Sequence, residues 1–272
     1  MRRQRGERKL ESYRMERETA ATALFLSDAH FGTSREEGER RRIERFLSFL
    51  RGPARGADVL YIVGDLFDFW FEYRQVVPKP HLLVLTELGA LVRAGVRVVY
   101  IAGNHDYWLD RFFADELGIQ VSREPLDLRV QGRRLYVTHG DDLTAGHDPG
   151  YRFLRRLVRS PLAIRLFHLI HPDLGVPFAR WASHLSRSHT NRKKFILNRT
   201  LEREAREKLR EGFDGVLMGH IHYADHFRYE EGELVLLGDW IESFTYARLA
   251  GGRIALERWE GGENGRVERA AE

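Results

Sequence analysis

The chain has no cysteine. Disulfides, thiolate-bound zinc and cysteine nucleophiles are therefore excluded together, and a cytosolic setting is compatible with that. Long apolar runs are missing too, since none approaches the roughly 20 residues a membrane-spanning helix needs. The opening stretch MRRQRGERKLESYRMERETA is basic but lacks the apolar segment of a signal peptide. It reads as a charged arm over residues 1–20, partly helical. No internal repeat or low-complexity linker divides the chain. Proline is scarce, and three of the eight (Pro161, Pro172 and Pro177) fall in one stretch. That stretch reads as several short helices rather than one long one.

What is present suits a packed α/β protein. Hydrophobic residues make up 43% of 272, enough for one large domain with an insertion or for two small domains. The net charge of +4 is unevenly spread. Residues 147–199 hold eleven Lys/Arg against two acids, Asp148 and Asp173, for +9, which leaves −5 for the rest. Such a segment is either a solvated basic face or a surface for an anionic substrate or lipid headgroups.

The chain is organised around residues 59–73, VLYIVGDLFDFWFEY. An apolar run of β-branched and aromatic residues predicts a buried strand over Val59–Val63. It stops at Gly64-Asp65, and a second carboxylate follows at Asp68. Four other apolar runs end the same way. Ala23–Ser27 leads to Asp28-Ala29-His30, and Val96–Ala102 to Gly103-Asn104-His105-Asp106. Arg134–Thr138 leads to His139-Gly140-Asp141-Asp142, and Gly215–Met218 to Gly219-His220-Ile221-His222. Between them, apolar spacing predicts helices over Arg35–Arg51, Pro80–Ala94 and Leu201–Arg210. Strand-like runs follow at Glu233–Leu237, Thr245–Leu249 and Arg253–Leu256. Strand alternating with helix implies βαβ units and a largely parallel sheet.

Strand C-termini are where an α/β sheet presents catalytic groups, because side chains leave the packed core there. A single histidine such as His139 or His220 could equally be a hydrogen-bonded structural residue. Five clusters of Asp, Asn and His in series point instead to a shared site. Mixed oxygen and imidazole donors suit Mn²⁺, Fe or Zn²⁺ better than Ca²⁺ or Mg²⁺. Asp65 is the candidate for a carboxylate shared by two ions, the clamp used for phosphoryl transfer.

In this order the motifs D-x-H, G-D-x-x-D, G-N-H-D, H-G-D and G-H-x-H resemble the calcineurin-like metallophosphoesterase superfamily. More narrowly, GDLFDFWFEYRQVVPKP, GNHDYW, the basic helical insertion and GDWIESFTYA resemble the UDP-2,3-diacylglucosamine diphosphatases of lipid A biosynthesis. The resemblance spans roughly Ala23 to Glu260. It implies an α/β fold of the α+β, four-layer type, a metallophosphoesterase β-sandwich flanked by helices. The implied domain covers 21–260, with a helical cap insertion at 148–199 and a polar, loose tail at 261–272.

The resemblance also implies a site. Asp28, His30 and His222 would hold one divalent metal ion and Asn104, His139 and His220 a second, with Asp65 shared and manganese favoured for both. His105 would neutralise charge on the phosphoryl oxygens or donate a proton to the leaving oxygen, with Asp106 orienting it. The best-studied diphosphatases of this family carry arginine at that place, whereas other phosphoesterases and some relatives keep histidine. Part of the apolar surface of the cap (Leu154, Leu157, Val158, Leu162, Leu166, Phe167, Leu169 and Ile170) would either enclose acyl chains or pack the cap onto the sheet. Arg155, Arg156, Ser186 and Arg187 would contact the diphosphate and sugar. Trp70, Trp108 and Trp240 read as framework. The implied reaction is hydrolysis of UDP-2,3-diacylglucosamine to UMP and 2,3-diacylglucosamine 1-phosphate, with a nucleotide-linked lipid and an anionic inner-membrane surface as partners. The implied location is cytoplasmic, peripheral to the inner membrane.

Three other readings stand beside it. A phosphodiesterase or nucleotide pyrophosphatase with a soluble substrate would need no large apolar pocket. A metal-free scaffold would lack ligands, and none is missing. Nucleic acid is not expected as a partner, because the basic run has no series of stacking aromatics.

Overall fold

The computed structural model describes residues 17–18, 20–32, 37–141, 156–157, 159–179, 194–261 and 267–269. In chain order the elements are β1 (Arg17–Glu18), β2 (Thr22–Leu26), α1 (Glu37–Arg51), β3 (Val59–Val63), α2 (Leu82–Arg93), β4 (Arg97–Ile101), α3 (Phe112–Asp115), β5 (Gln120–Ser122), β6 (Leu126–Val130) and β7 (Arg133–Thr138). They continue as α4 (Pro161–Phe167), α5 (Lys194–Arg210), β8 (Gly215–Met218), β9 (Ala224–Tyr229), β10 (Gly232–Leu237), β11 (Thr245–Ala250), β12 (Arg253–Trp259) and β13 (Val267–Arg269).

Strand β3 shows why these sequences fold as they do. All five of its residues are buried, so it reads as an unbroken apolar run instead of an alternating one. Alternation reappears in where the side chains go. Leu60 and Ile62 pack on one face of their sheet among Phe46, Phe49, Leu50, Leu85 and Leu88 of α1 and α2. Val59, Tyr61 and Val63 pack on the other face against Val137, Leu217, Val235 and Leu237 of a second sheet. At about 2 kcal/mol per buried side chain, β3 contributes roughly 10 kcal/mol of transfer free energy. A charge at Ile62 would forfeit its share and add the cost of burying an unpaired ion.

The two sheets have strand orders β1-β6-β7-β8-β10-β9 and β13-β12-β11-β2-β3-β4-β5. Helices α1 and α2 cover the second sheet. Leu201, Ala205 and Leu209 of α5 cover the first, against Val216, Met218, Leu234 and Leu236. The result is four layers, helix–sheet–sheet–helix, as expected. The reading of one largely parallel sheet needs correcting, because there are two and both are mixed. Strands β2 to β5 run parallel, and β7, β8 and β10 do so in the other sheet. Strands β6 and β9 join by antiparallel pairing. Their sequences, LDLRV and ADHFRY, interleave apolar with polar residues and are half solvated, so no apolar run announces them.

The termini also depart from expectation. Arg17–Glu18, the end of the charged arm, pairs with β6, and Val267–Arg269 of the polar tail pairs with β12. Of the cap insertion, residues 156–157, 159–179 and 194–199 are described. Pro161–Phe167 and 172–179 are helical, matching the short helices implied by the prolines. Phe167 and Ile164 pack on Phe69, Phe71, Tyr73 and Trp108, whereas Leu157, Leu162, Leu166 and Leu169 face solvent. Leu154 and Val158 lie outside the described residues. Trp70 and Trp240 are fully buried framework, and Trp108 joins the seat under Phe167.

Candidate metal centre

Parallel strands put their C-termini on one edge. Asp28 lies two residues past β2, Asp65 two past β3, Asn104 three past β4, His139 one past β7 and His220 two past β8. Backbone hydrogen bonds then fasten the first two loops together. Gly64 O accepts the Asp28 N–H at 3.2 Å, Asp65 O accepts the His30 N–H at 2.9 Å, and Phe31 O accepts the Asp68 N–H at 3.0 Å. Asp28, His30, Asp65, His220 and His222 all adopt positive φ, between 48° and 71°. This left-handed conformation is unfavourable for residues with a Cβ and persists only where surroundings impose it. At Gly103 a Cβ would strike the backbone N and carboxylate of Asp65. Only glycine lets the third loop approach the second.

Asp28 and Asp65 divide their oxygens in the same way. Asp28 Oδ2 accepts the His220 N–H at 2.8 Å, while Oδ1 makes no hydrogen bond and lies 3.4 Å from His222 Nε2 and 3.6 Å from His30 Nε2. Asp65 Oδ1 accepts the His105 N–H at 2.9 Å. Its Oδ2 lies 3.3 Å from His139 Nε2 and 3.6 Å from His30 Nε2. In each case one oxygen organises backbone and the other faces imidazoles. His139 sets its ring by donating Nδ1–H to Val63 O at 3.0 Å. Nε2 then faces the acceptor Asn104 Oδ1 at 3.1 Å. Lone pairs directed at one another are repulsive unless a proton or cation lies between them.

Two groups of donors hold expected ligands, Asp28-His30-His222 and Asp65-His139-His220, and a third, His30-Asp68-His105, adjoins them; in each the ligand atoms lie within 4.8 Å of one another. Asn104 touches the second group, and Asp65 reaches toward the first two. Neither ring nitrogen of buried His30 has a hydrogen bond. The arrangement fits two divalent cations of the Mn²⁺, Fe²⁺, Zn²⁺ type.

The titration directions agree with that fit. Burial pushes the Asp28 carboxyl up, but His222 and His30 overcome it and hold it at about 2. Burial likewise raises Asp65, and His139 and His105 pull it well below the usual carboxylate range. Burial disfavours a charged His30, yet the carboxylates of Asp28, Asp68 and Asp65, each 3.6 Å from a ring nitrogen, raise it to about 9. For His139 the same opposition is won by Asp65, well above the usual imidazole value. Burial and then the charge on His139 depress His220 to about 4. Protons on His30 and His139 thus offset the carboxylates where cations would.

All seven expected ligands therefore meet at one edge. His105 joins them, with Nε2 3.9 Å from Asp65 Oδ2. The orientation of its ring needs correcting. Asp68 O, not Asp106, contacts His105 Nδ1, at 2.9 Å. The Asp106 carboxylate accepts from Leu66 N at 2.8 Å, from Gly103 N at 2.7 Å and from the Tyr100 hydroxyl. It ties the Asp65 loop to the Gly103 loop. Burial, then the charge on Asp65, raises its carboxyl to about 6.

Two further carboxylates belong here. Asp68 Oδ1 lies 3.6 Å from His30 Nδ1, and Asp239 Oδ2 lies 4.0 Å from His222 Nδ1. Asp239 is anchored by N–H bonds from Ile241, Glu242 and Ser243 to Oδ1. Both stand behind imidazoles, where a carboxylate fixes ring orientation. The G-D-x-x-D spacing contained the signal for Asp68, and Asp239 stands in the GDW run. Of the expected substrate contacts, Arg156 is exposed; Arg155, Ser186 and Arg187 lie outside the described residues, as does Asp142.

Comparison with known proteins agrees with this geometry. A family profile described as calcineurin-like phosphoesterase matches residues 21–224. A Porphyromonas gingivalis protein named UDP-2,3-diacylglucosamine hydrolase is 33% identical, the alignment covering 87% of this chain and 97% of that one. Proteins of the same name from Pseudomonas savastanoi pv. phaseolicola and Xanthomonas oryzae pv. oryzae are 32% and 28% identical. They cover 80% and 88% of this chain and 87% and 99% of their own lengths. The match runs through the loops that bear the donors, and the chain belongs to the calcineurin-like phosphoesterase family.

Proposed function

We propose that this protein hydrolyses the pyrophosphate bond of UDP-2,3-diacylglucosamine, giving UMP and 2,3-diacylglucosamine 1-phosphate. The observation that carries the reading is near full-length similarity to relatives named for that substrate. The convergence of oxygen and imidazole donors on one sheet edge supports it. Asp28, His30 and His222 would hold one divalent cation, and Asn104, His139 and His220 the other. Asp65 would serve both, and manganese is the favoured metal. Bound there, two cations supply Lewis-acid stabilisation of the phosphoryl oxygens and activation of water.

The protein's own groups do the rest. The Asp68 carbonyl contacts His105 Nδ1 and turns Nε2 toward the centre. From there a proton on Nε2 can pass to the leaving oxygen. Asp106 keeps the Asp65 and Gly103 loops in contact, and Asp68 and Asp239 orient His30 and His222. Residues 148–199 are the proposed cap on a domain whose sheets reach to Arg17–Glu18 at one end and Val267–Arg269 at the other. Arg155, Arg156, Ser186 and Arg187 are the proposed contacts to the diphosphate and sugar. The exposed Leu162, Leu166 and Leu169 sit in a segment of net +9, which suits contact with acyl chains and an anionic bilayer. No helix among the described residues is long and apolar enough to cross a membrane. Peripheral attachment on the cytoplasmic side of the inner membrane is the corresponding location.

The test is hydrolysis of a panel under Mn²⁺, Co²⁺, Fe²⁺ and Mg²⁺: UDP-2,3-diacylglucosamine, UDP-N-acetylglucosamine, bis(p-nitrophenyl) phosphate and a cyclic nucleotide. UMP release from the acylated substrate, with far slower cleavage of UDP-N-acetylglucosamine, is expected. Failure to cleave the acylated substrate under every metal, alongside cleavage of a cyclic nucleotide, would overturn the assignment.

A further inference from the structure

Arg159 stands just before α4, next to Ser160, whose hydroxyl accepts the Ala163 N–H at 3.2 Å and starts that helix. Its side chain is 19% exposed. Nη2 donates to Asp141 Oδ2 at 2.7 Å, and the guanidinium carbon lies 3.8 Å from the centre of the Tyr107 ring. These partners come from two different loops of the metal centre. Buried Asp141 follows His139 by two residues, and Tyr107 follows His105 by two. One guanidinium therefore joins the segment leading into α4 to both the loop of His139 and the loop of His105.

The other attachment of this segment is apolar, Phe167 and Ile164 on Phe69, Phe71, Tyr73 and Trp108. Such burial is non-directional; it fixes how deeply the segment sits but only weakly where along the surface. A guanidinium paired with one carboxylate and stacked on one ring has far fewer acceptable placements. Arg159 also lines a cavity with Arg123, Thr138 and His139, of only 10 Å³. That admits no more than a water molecule.

We propose that Arg159 is a positioning residue, a clasp that registers the α4 segment on the metal centre through Asp141 and Tyr107. It thereby governs binding of the substrate portion remote from the reacting phosphorus. The choice of large substrate rests on the function proposed above. A small diester that presents only the reacting phosphorus does not need the clasp.

The experiment compares Arg159→Gln, Arg159→Lys and Tyr107→Leu with the unaltered enzyme, on UDP-2,3-diacylglucosamine and on bis(p-nitrophenyl) phosphate, with manganese content measured for each. For Arg159→Gln, KM for the acylated substrate should rise roughly ten- to a hundredfold, the range for one charge-assisted hydrogen bond. Its kcat, the diester activity and the metal content should stay nearly constant. Arg159→Lys, which keeps the charge toward Asp141, should recover part of the loss, and Tyr107→Leu should reproduce part of it. Equal losses on both substrates, a fall in kcat alone, or no change at all would overturn the proposal. If the unaltered enzyme cleaves the diester and not the acylated nucleotide, the functional reading fails on its own. The clasp is then judged by limited proteolysis, where Arg159→Gln should speed cleavage within residues 156–179 and Arg159→Lys should not. Unchanged cleavage would sink it.

Discussion

Asp65 has two jobs, and its two oxygens separate them. Oδ1 holds the His105 backbone N–H, while Oδ2 faces the imidazoles of both donor groups. An amide in its place keeps one acceptor oxygen where Asp65 uses two, so either the His105 N–H or the side facing the imidazoles loses its acceptor. In Asp65→Asn, bound divalent metal should fall from two ions toward none and turnover should vanish; elemental analysis that still finds two ions would refute the bridging assignment. His105 calls for the opposite outcome, because, although it stands with His30 and Asp68 in a third donor group, its Nδ1 is taken by the Asp68 backbone carbonyl. His105→Ala should lose roughly 10²–10⁴-fold in kcat, the range for a positioned acid–base group, with both ions retained. Loss of an ion there would make His105 a ligand. The clusters that contain the seven donors were legible in the sequence because each follows an apolar run, and the choice of these seven within them came from the family resemblance. What each carboxylate oxygen does was not, since motif spacing places residues and not lone pairs. That is why Asp106 was assigned to His105 when its partners are Leu66, Gly103 and Tyr100.

Among the elements, the strands that carry the site were legible because they are buried on both faces. Strands β6 and β9 were not, because solvent takes one face and leaves no apolar run. The loop after β3 continues this theme. Phe69 and Phe71 turn into the seat under α4, while Glu72 between Phe71 and Tyr73 accepts the Phe112 N–H at the start of α3. Burial, with Asp110 adding to it, raises the Glu72 carboxyl to about 7 despite that hydrogen bond. The folded protein therefore holds a proton there that the unfolded chain releases near pH 4.5. Stability from this group is greatest at low pH and declines as pH rises through about 7. Glutamine keeps the accepting oxygen and never ionises. The melting temperature of Glu72→Gln minus that of the unaltered protein should grow between pH 5 and pH 8 and then level off. A difference that is flat across that range would show that Glu72 ionises freely. The effect will be modest, because the side chain is only half buried and solvent screens it.

Across the whole molecule, charge and apolar surface are concentrated in the same segment. The remainder of the chain carries −5 against +9 in residues 147–199. Helix α4 turns Phe167 inward and leaves Leu162 and Leu166 in solvent, followed by Leu169 at 82% exposure. Under the proposed function, a bilayer surface would accept leucines so placed while its headgroups attract the arginines of the segment. The two contributions respond differently to salt. Attraction between exposed charges is screened within about 8–10 Å at physiological ionic strength, but apolar insertion is not. Binding to vesicles containing anionic lipid should therefore weaken between low and high salt and level off above zero, and neutral vesicles should show only the residual part. Leu166→Ser with Leu169→Ser should remove the residual part and leave the salt-sensitive part. Salt-independent binding would assign attachment to the leucines alone. Complete release by salt would assign it to charge alone, and the exposed face of α4 would then be free to meet the acyl chains of the substrate instead.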